Sequence, residues 1–348
     1  MVAPRTCAIC GGELELAFPG TEIACDAASL SPTRHRAGEH GDLYRCLRCG
    51  TVHQPDLPVG RELYALYRTM RDDHYLDEEA GRRQTANRLL DRIGRVAGPA
   101  VRPDGTRQRL LDVGCGPGLL LDEARRHGYD VLGIELSEAS LTYARETLKL
   151  PVQATALADF ADGEFDVVVL ADVIEHLDDV PGGLDRCREL LAPGGTLCVV
   201  TPDPASRTAR VAGGGWWGYV PAHTFLLPRA TLLRLLIERG LAVVTDVSLV
   251  RTFSLRYWAA GLGERGGPIG AVTSAVRRAL PRSVALSLSL GDERVVLARK
   301  RALVTGSPNG VGPRNGAGDD EPIETRGSDP LSRLSRRDIA EQPGPQPR

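Results

Sequence analysis

Three groups of side chains in this sequence have the types and the spacing to do chemistry. Cys7-Ala8-Ile9-Cys10 and Cys46-Leu47-Arg48-Cys49 are two CxxC pairs, each followed by a glycine, Gly11 and Gly50. Two such knuckles some tens of residues apart supply four thiolates for one tetrahedral ion, and the glycine lets the backbone turn its amides toward sulfur. The expectation is a structural zinc on Cys7, Cys10, Cys46 and Cys49; the alternative is a set of inert, reduced thiols. A redox CxxC would need a thioredoxin-like strand and helix around it, which these segments lack. A closed site of four thiolates does no chemistry of its own. Cys25, between the pairs, reads as a spectator and His53 as structural.

The second group is Asp112-Val113-Gly114-Cys115-Gly116-Pro117-Gly118, at a joint between a strand and a helix. Glycines there let the backbone approach a ligand and leave N–H groups to face it. Glu135 ends the next strand about 20 residues on, where a carboxylate can accept from both ribose hydroxyls. A dinucleotide fingerprint would put its third glycine at position 119, which is Leu119; the glycines here stand at 114, 116 and 118. The third group is His176, directly after Glu175, and His223 in Tyr219-Val220-Pro221-Ala222-His223-Thr224-Phe225. Each histidine is a candidate proton acceptor or a packing anchor, and Tyr219 is a further candidate base.

Four segments must position these groups. Residues 1–57 read as a zinc ribbon with short strands at Leu14–Phe18, Leu43–Arg45 and Thr51–His53, and a polar excursion from Ser29 to Gly41. Residues 58–108 read as a helical connector. Leu63, Leu66, Tyr67 and Met70, then Leu89, Leu90, Ile93 and Val96, recur at helical spacing from Arg61 to Ala97, before Gly98-Pro99 stops the run. From 109 to 303 strands alternate with helices. Strands are predicted at Leu110–Val113, Val131–Glu135, Val152–Ala154, Phe165–Leu170, Thr196–Thr201, Leu241–Val250 and Glu293–Ala298. Helices are predicted at Leu119–His127, Glu138–Leu148, a segment capped near Asp172, Leu184–Leu191 and Arg229–Arg239. That alternation predicts an α/β, doubly wound sheet covered on both faces, with the last two strands antiparallel for want of a helix between them. Ala271–Leu280 reads as an amphipathic helix that packs on the sheet, with a membrane-surface contact as its second reading. Residues 304–348 are rich in Pro, Gly, Ser and charge without period, and are predicted to be a disordered tail.

Leu111-Asp112-Val113-Gly114-Cys115-Gly116-Pro117-Gly118 resembles motif I of the class I S-adenosylmethionine-dependent methyltransferases. Three further segments agree in order: Phe165-Asp166-Val167-Val168-Val169 through Val173-Ile174-Glu175-His176-Leu177, then Leu191-Ala192-Pro193-Gly194-Gly195-Thr196-Leu197, then a final strand ending in Arg299-Lys300. The resemblance spans residues 109 to 300. Cys46-Leu47-Arg48-Cys49-Gly50, followed by Pro55, Leu63-Tyr64 and Tyr67, is similar to a bacterial subgroup with an N-terminal zinc ribbon. That subgroup holds sugar C-methyltransferases and enzymes of polysaccharide, glycolipid and natural-product pathways.

The resemblance implies a Rossmann-like, seven-stranded, mostly parallel sheet with one antiparallel strand, and a cofactor over the C-terminal strand edges. It implies S-adenosylmethionine above the loop of Gly114, Cys115, Gly116 and Gly118, with Asp112 anchoring the loop and the cofactor amino group. Glu135 would hold the ribose, Leu136 would pack on the adenine, and Ala171 and Asp172 would face the methionine end. Such enzymes commonly place an acid against the adenine amino group after the third strand. Here Thr155 stands in that place, with backbone groups of Ala156 and Leu157 as the alternative.

Methyl transfer is an in-line displacement from sulfonium, so the protein must place the nucleophile, exclude water and take a proton. His223, His176 and Tyr219 are the candidate catalytic residues. Gly213-Gly214-Gly215-Trp216-Trp217-Gly218 reads either as a mobile lid with a flat apolar platform or as tryptophans tucked into the core. Asp172, Glu175 and His176 at i, i+3 and i+4, with His223, also resemble the divalent-ion site of small RNA 2′-O-methyltransferases and some quinone O-methyltransferases. Asp at the first position shortens its reach, and the chain carries no basic RNA-binding appendage.

Composition bounds the rest. At 348 residues, 42% hydrophobic and 25% charged, the chain can bury a sizeable core, and a net charge of -2 makes no global case for nucleic-acid binding. No apolar run approaches the roughly 18 residues of a membrane helix. The first residues, Met1 to Cys7, lack a signal-peptide core, so a cytoplasmic location is expected. The expected function is methylation of a small-molecule acceptor: a sugar, a lipid-linked sugar or a natural-product intermediate, on oxygen before carbon. The competing readings are an NAD-linked oxidoreductase, which nicotinamide binding would reveal, and a non-catalytic zinc-ribbon adaptor, which any methyl transfer would exclude.

Overall fold

A computed structural model describes residues 6–21, 26–31, 39–55, 57–72, 74–258 and 284–301. Cys25, the helix expected over Ala271–Leu280 and the tail expected from 304 lie outside the described residues.

The N-terminal strands β1 (Leu14–Phe18), β2 (Leu43–Cys46) and β3 (Val52–His53) form an antiparallel meander that carries the cysteine knuckles. The helical stretch expected from Arg61 to Ala97 is broken into α1 (Arg61–Thr69) and α2 (Glu79–Ala97). Met70 is extended, and Oδ1 of Asp72 accepts from the amide of His74 (3.2 Å). A short polar side chain that captures a nearby amide competes with the helix ladder, which accounts for the break.

The central domain follows the predicted alternation. Its elements are β4 (Arg109–Val113), α3 (Leu119–Arg126), β5 (Asp130–Glu135), α4 (Glu138–Thr142), β6 (Val152–Ala154), β7 (Phe165–Ala171), α5 (Val180–Leu190), β8 (Leu191–Pro202), α6 (Arg207–Ala212), β9 (Phe225–Leu226), α7 (Arg229–Glu238), β10 (Leu241–Ser248), β11 (Arg251–Ser254), β12 (Ala285–Leu288) and β13 (Glu293–Lys300). Seven of the strands make one sheet in the order β10-β13-β8-β7-β4-β5-β6. All neighbours run parallel except β13, which is antiparallel to both β8 and β10. The expected Rossmann-like sheet with one reversed strand is therefore present.

Strand residues alternate between two apolar layers, as the two-residue period requires. Leu111, Val113, Val168, Leu170, Leu197 and Val199 pack toward α5 and α7, against Leu184, Cys187, Leu232, Leu235 and Leu236. Leu110, Val167, Val169, Cys198 and Val200 pack toward α2 and α3, against Leu89, Leu90, Ile93, Leu121 and Ala124. Both faces are covered, so the C-terminal ends of the parallel strands are the edge at which loops can shape a site.

Strand β9 was not anticipated. It lies between α6 and α7 in sequence, yet it pairs antiparallel with β3, Val52 opposite Leu226 and His53 opposite Phe225. The N-terminal meander thus becomes a four-stranded sheet whose last strand comes from the central domain. No helix among the described residues is long and apolar enough to cross a membrane.

Candidate active site and metal centre

After β4 the chain turns through Gly114, Gly116 and Gly118, all left-handed with φ of 62°, 54° and 88°. A Cβ on Gly114 would stand 2.8 Å from Cγ2 of Val173, and one on Gly118 would stand 2.6 Å from Cδ1 of Leu150. A Cβ on Gly116 would meet nothing within 4 Å. Gly114 and Gly118 are demanded by packing, whereas Gly116 presents bare backbone to open space. Gly118 also caps α3, so the first amides of that helix face out of the loop. Cys115 contributes backbone only: its thiol is turned into the sheet, where a Cβ on Gly133 would lie 2.7 Å from the sulfur.

Glu135 closes the loop from the side. Its Oε2 accepts from the amide of Gly116 (2.8 Å), and its Oε1 accepts from the amides of Leu136 (2.6 Å) and Ser137 (2.7 Å). Burial raises its pKa above the ordinary carboxylate value despite those three donors. Asp112 beneath the loop is buried, and desolvation, with the Glu135 charge second, pushes its pKa up to about 8. Thr155 is half-buried and donates to the carbonyl of Ala156 (3.3 Å), while Ala156 and Leu157 are buried. A bare backbone turn, a helix start and two carboxylates with room at Gly116 fit an adenosyl donor carrying an amino group.

Beyond Ala171, which ends β7, the expected helix does not begin near Asp172. Asp172 is left-handed (φ 57°), a 3-10 turn spans Ile174–His176, and α5 starts only at Val180. Asp179 caps α5 by accepting from the amide of Gly182 (2.9 Å), with Pro181 in the first turn; both are helix-start residues, and they begin α5 ahead of the Leu184 expected for it. The carboxylate of Asp172 is taken by Arg251, whose Nη2 lies 2.8 and 2.7 Å from its two oxygens, and Arg251 also binds Glu293 through Nε. Asp172 is therefore not part of a shared acidic and imidazole face.

Glu175, His176 and His223 do converge. One ligand atom from each lies within 4.8 Å of the others, and the imidazole centroids are 4.8 Å apart, steeply tilted. Nδ1 of His176 donates to the carbonyl of Ala222 (2.9 Å), and Nδ1 of His223 donates to the carbonyl of Gly218 (2.7 Å). A carbonyl only accepts, so these contacts put a ring hydrogen on Nδ1 of each imidazole. Oε2 of Glu175 accepts from Thr201 (3.0 Å), and burial, with Asp172 second, holds its pKa well above the ordinary value. The group stands beside the glycine loop, because Val173, two residues before Glu175, is the side chain on which Gly114 packs.

Sequence reasoning missed Tyr67, whose hydroxyl oxygen is 3.0 Å from Nδ1 of His176, and Arg251. Tyr67 stood in the connector-helix pattern and the ribbon resemblance without a site role, and Arg251 in neither; each reaches the site across 79 or more residues of chain. Tyr219 is not brought to the histidines. It is buried, its ring packs on Phe18, His40 and Trp216, and its hydroxyl accepts from Arg45 (3.4 Å). Trp216 is core rather than platform: it is 1% exposed and its indole N–H, like that of Trp217, donates to Oδ2 of Asp292.

At the metal centre Cys7, Cys10, Cys46 and Cys49 cluster, with sulfur separations of 3.7 Å for Cys7 and Cys49 and 3.5 Å for Cys10 and Cys46. Four sulfurs bound at about 2.3 Å to a tetrahedral ion stand about 3.8 Å apart, so the cluster fits zinc. Burial pushes His53 down to about 4, so the ring is neutral near pH 7, and its Nε2 lies 3.1 Å from Sγ of Cys7. With zinc on the four sulfurs, an N–H on that nitrogen would donate to the Cys7 thiolate.

A family model described as a methyltransferase domain matches residues 80–246. A ubiquinone biosynthesis O-methyltransferase of Cereibacter sphaeroides is 34% identical over 184 residues, covering 49% of this chain and 73% of the relative. This chain belongs to the class I S-adenosylmethionine-dependent methyltransferases. A second relative of this methyltransferase, the ubiquinone biosynthesis O-methyltransferase of Psychrobacter arcticus, is 32% identical over 174 residues, covering 44% of this chain and 66% of that one. An N-methyltransferase of Bradyrhizobium japonicum, solved with S-adenosyl-L-homocysteine, overlays with a TM-score of 0.43 at 19% identity, over 69% of this chain and 97% of that one.

Proposed function

We propose that this methyltransferase transfers a methyl group to a ring hydroxyl oxygen of a small acceptor of the quinol or catechol class. The observation that carries the reading is the convergence of Glu175, His176 and His223 beside the glycine loop. The naming of both curated relatives for O-methylation in ubiquinone biosynthesis supports the acceptor class. This replaces the sugar, glycolipid or natural-product acceptor that the ribbon resemblance put first.

S-adenosylmethionine, when bound, supplies an electrophilic methyl on sulfonium. Asp112 would hold its amino group, the Gly114–Gly118 backbone would cradle methionine and ribose, and Glu135 would accept from the ribose hydroxyls. Leu136 would pack on the adenine, with Thr155 and the backbone of Ala156 at its amino group. An imidazole nitrogen of His223 or His176 would take the proton of the acceptor hydroxyl as its oxygen accepts the methyl group, with S-adenosylhomocysteine as the leaving thioether. The leaving thioether is neutral, so no acid is needed. The four-thiolate cluster of Cys7, Cys10, Cys46 and Cys49 would hold a structural zinc ion.

One observation favours a second reading in which Glu175, His176 and His223 ligate a divalent cation that orients the acceptor. Oε1 of Glu175 is buried without a hydrogen-bond partner among the described residues, and each imidazole donates its other nitrogen to a carbonyl, as metal-bound histidines do.

The test is methyl transfer from labelled S-adenosylmethionine to a panel of hydroxylated benzoquinols, catechols and sugar nucleotides. Label on a ring oxygen is expected, with His223→Ala and His176→Ala each lowering kcat about 10²-fold or more at unchanged S-adenosylhomocysteine affinity. Transfer to sugars alone would overturn the acceptor class, and full activity in both variants would overturn the roles of the histidines. Loss of activity in EDTA with recovery in Mg²⁺ selects the metal-assisted form.

A further inference from the structure

The loop that carries His223 is held by the N-terminal ribbon, and one ribbon side chain does most of the holding. Gln54 follows β3 and is 2% exposed. Its side-chain nitrogen donates toward the carbonyls of Val220 (3.1 Å), Pro221 (3.0 Å) and His223 (3.3 Å). Its Oε1 accepts from the amide of Gly41 (2.7 Å), which ties the same side chain back into the ribbon. The backbone continues the link: the amide of Gln54 donates to the carbonyl of Thr224 (3.1 Å), and the amide of Thr224 donates to the carbonyl of Glu175 (2.8 Å).

The loop is curled, with the amide of His223 donating to the carbonyl of Val220 (3.1 Å). Three of its carbonyls point inward at Gln54, and the fourth, that of Ala222, points to Nδ1 of His176. Converging carbonyl oxygens repel one another unless a buried donor lies among them. A primary amide suits this place, because it brings two hydrogens without a buried charge and still offers an acceptor to Gly41.

We propose that Gln54 is a positioning residue for methyl transfer: by gathering the carbonyls of the 220–223 loop it sets where His223 and, through Ala222, His176 stand. The inference rests on the reading of those two histidines as the groups that meet the acceptor. The ribbon is then a mount for the reaction centre, since β3 and β9 pair immediately beside Gln54.

The test compares full-length wild-type protein with Gln54→Met, which keeps the volume and loses every polar contact, and Gln54→Asn, which keeps the donors one methylene short. Expected is a kcat lowered at least about tenfold in Gln54→Met and less in Gln54→Asn, because small misplacements of reacting groups are costly. S-adenosylhomocysteine affinity and bound zinc per chain are expected to stay at the wild-type level. Nitrogen-15 spectra of the imidazoles are expected to show the Nδ1–H signals of His176 and His223 shifted or broadened in Gln54→Met. Unchanged kcat and unchanged imidazole signals would overturn the proposal. A parallel fall of kcat, cofactor affinity and zinc would also overturn it, as general unfolding. Should Gln54→Met not fold, Gln54→Asn is read by the same two measurements. If His176→Ala and His223→Ala prove fully active, the imidazole spectra still decide whether Gln54 positions them.

Discussion

In the proposed cofactor pose, Asp112 would couple ligand binding to protonation. An isolated aspartate ionises near 3.8, but burial pushes this one up to about 8, so the ligand-free protein holds it protonated at neutral pH. A carboxylate that meets a cationic amino group must be ionised, so cofactor binding should release a proton. The affinity for S-adenosylhomocysteine should then rise with pH, by up to about tenfold per unit below 8, and level off above it. Calorimetry in two buffers of different ionisation heat should read the released proton at pH 7, and a flat profile from pH 6 to 9 would refute the assignment. The glycines offer a contrast at the same scale. Gly118→Ala forces a Cβ into Leu150 at a left-handed position and should cost about 2 kcal/mol of stability in denaturant titration. Gly116→Ala carries the same left-handed strain but meets no neighbour, so it should cost less stability than Gly118→Ala and more cofactor affinity, because its methyl enters the open space the ligand would use. These residues were legible in the sequence because loop, cap and acidic strand end lie in one short strand–helix–strand stretch. Gln54, Tyr67 and Arg251 were not, since what defines them is a partner far along the chain.

Elements were legible where period and punctuation agreed, as in the strands β4, β5 and β7. They were misread where a local side-chain contact overrode the pattern: Asp72 splits the connector helix, the helix expected near Asp172 is a 3-10 turn, and Asp179 with Pro181 starts α5 at Val180, before the Leu184 expected for it. The missing helix matters for the site, because a helix begun at Asp172 would have put three ligating groups on one face, whereas the turn gives Asp172 to Arg251. Arg251, at the start of β11, stitches the end of β7 to β13 through Asp172 and Glu293. Replacing it with methionine leaves two carboxylates facing each other without their cation, and should destabilise the fold by about 3 kcal/mol in chemical denaturation. A smaller effect at pH 4 than at pH 8 is expected, because burial holds the Glu293 pKa above the ordinary value and its protonated form no longer repels a neighbouring carboxylate.

At the scale of the molecule, the doubled CxxC spacing and the α/β alternation were both readable, but their joining through β3 and β9 was not. Two-residue strands carry no periodic signal, and their pairing spans the chain from Val52 to Leu226. The joining predicts that Cys46→Ser lowers bound zinc, lowers the melting temperature and also lowers kcat, even though no thiolate touches the reacting atoms. Metal analysis beside thermal unfolding and steady-state rates checks all three, and an apo-ribbon enzyme with wild-type kcat would contradict it.

Strand β13 has a consequence for biosynthesis. It is threaded between β8 and β10, so two strands made much earlier wait for residues 293–300 before their facing edges are satisfied. While the ribosome is still translating the preceding segment, the Thr196–Pro202 edge of β8 stands open to any extended chain nearby. Nascent-chain engagement by chaperones should therefore persist until Lys300 has cleared the exit tunnel, and a stall before Glu293 should leave an aggregation-prone product.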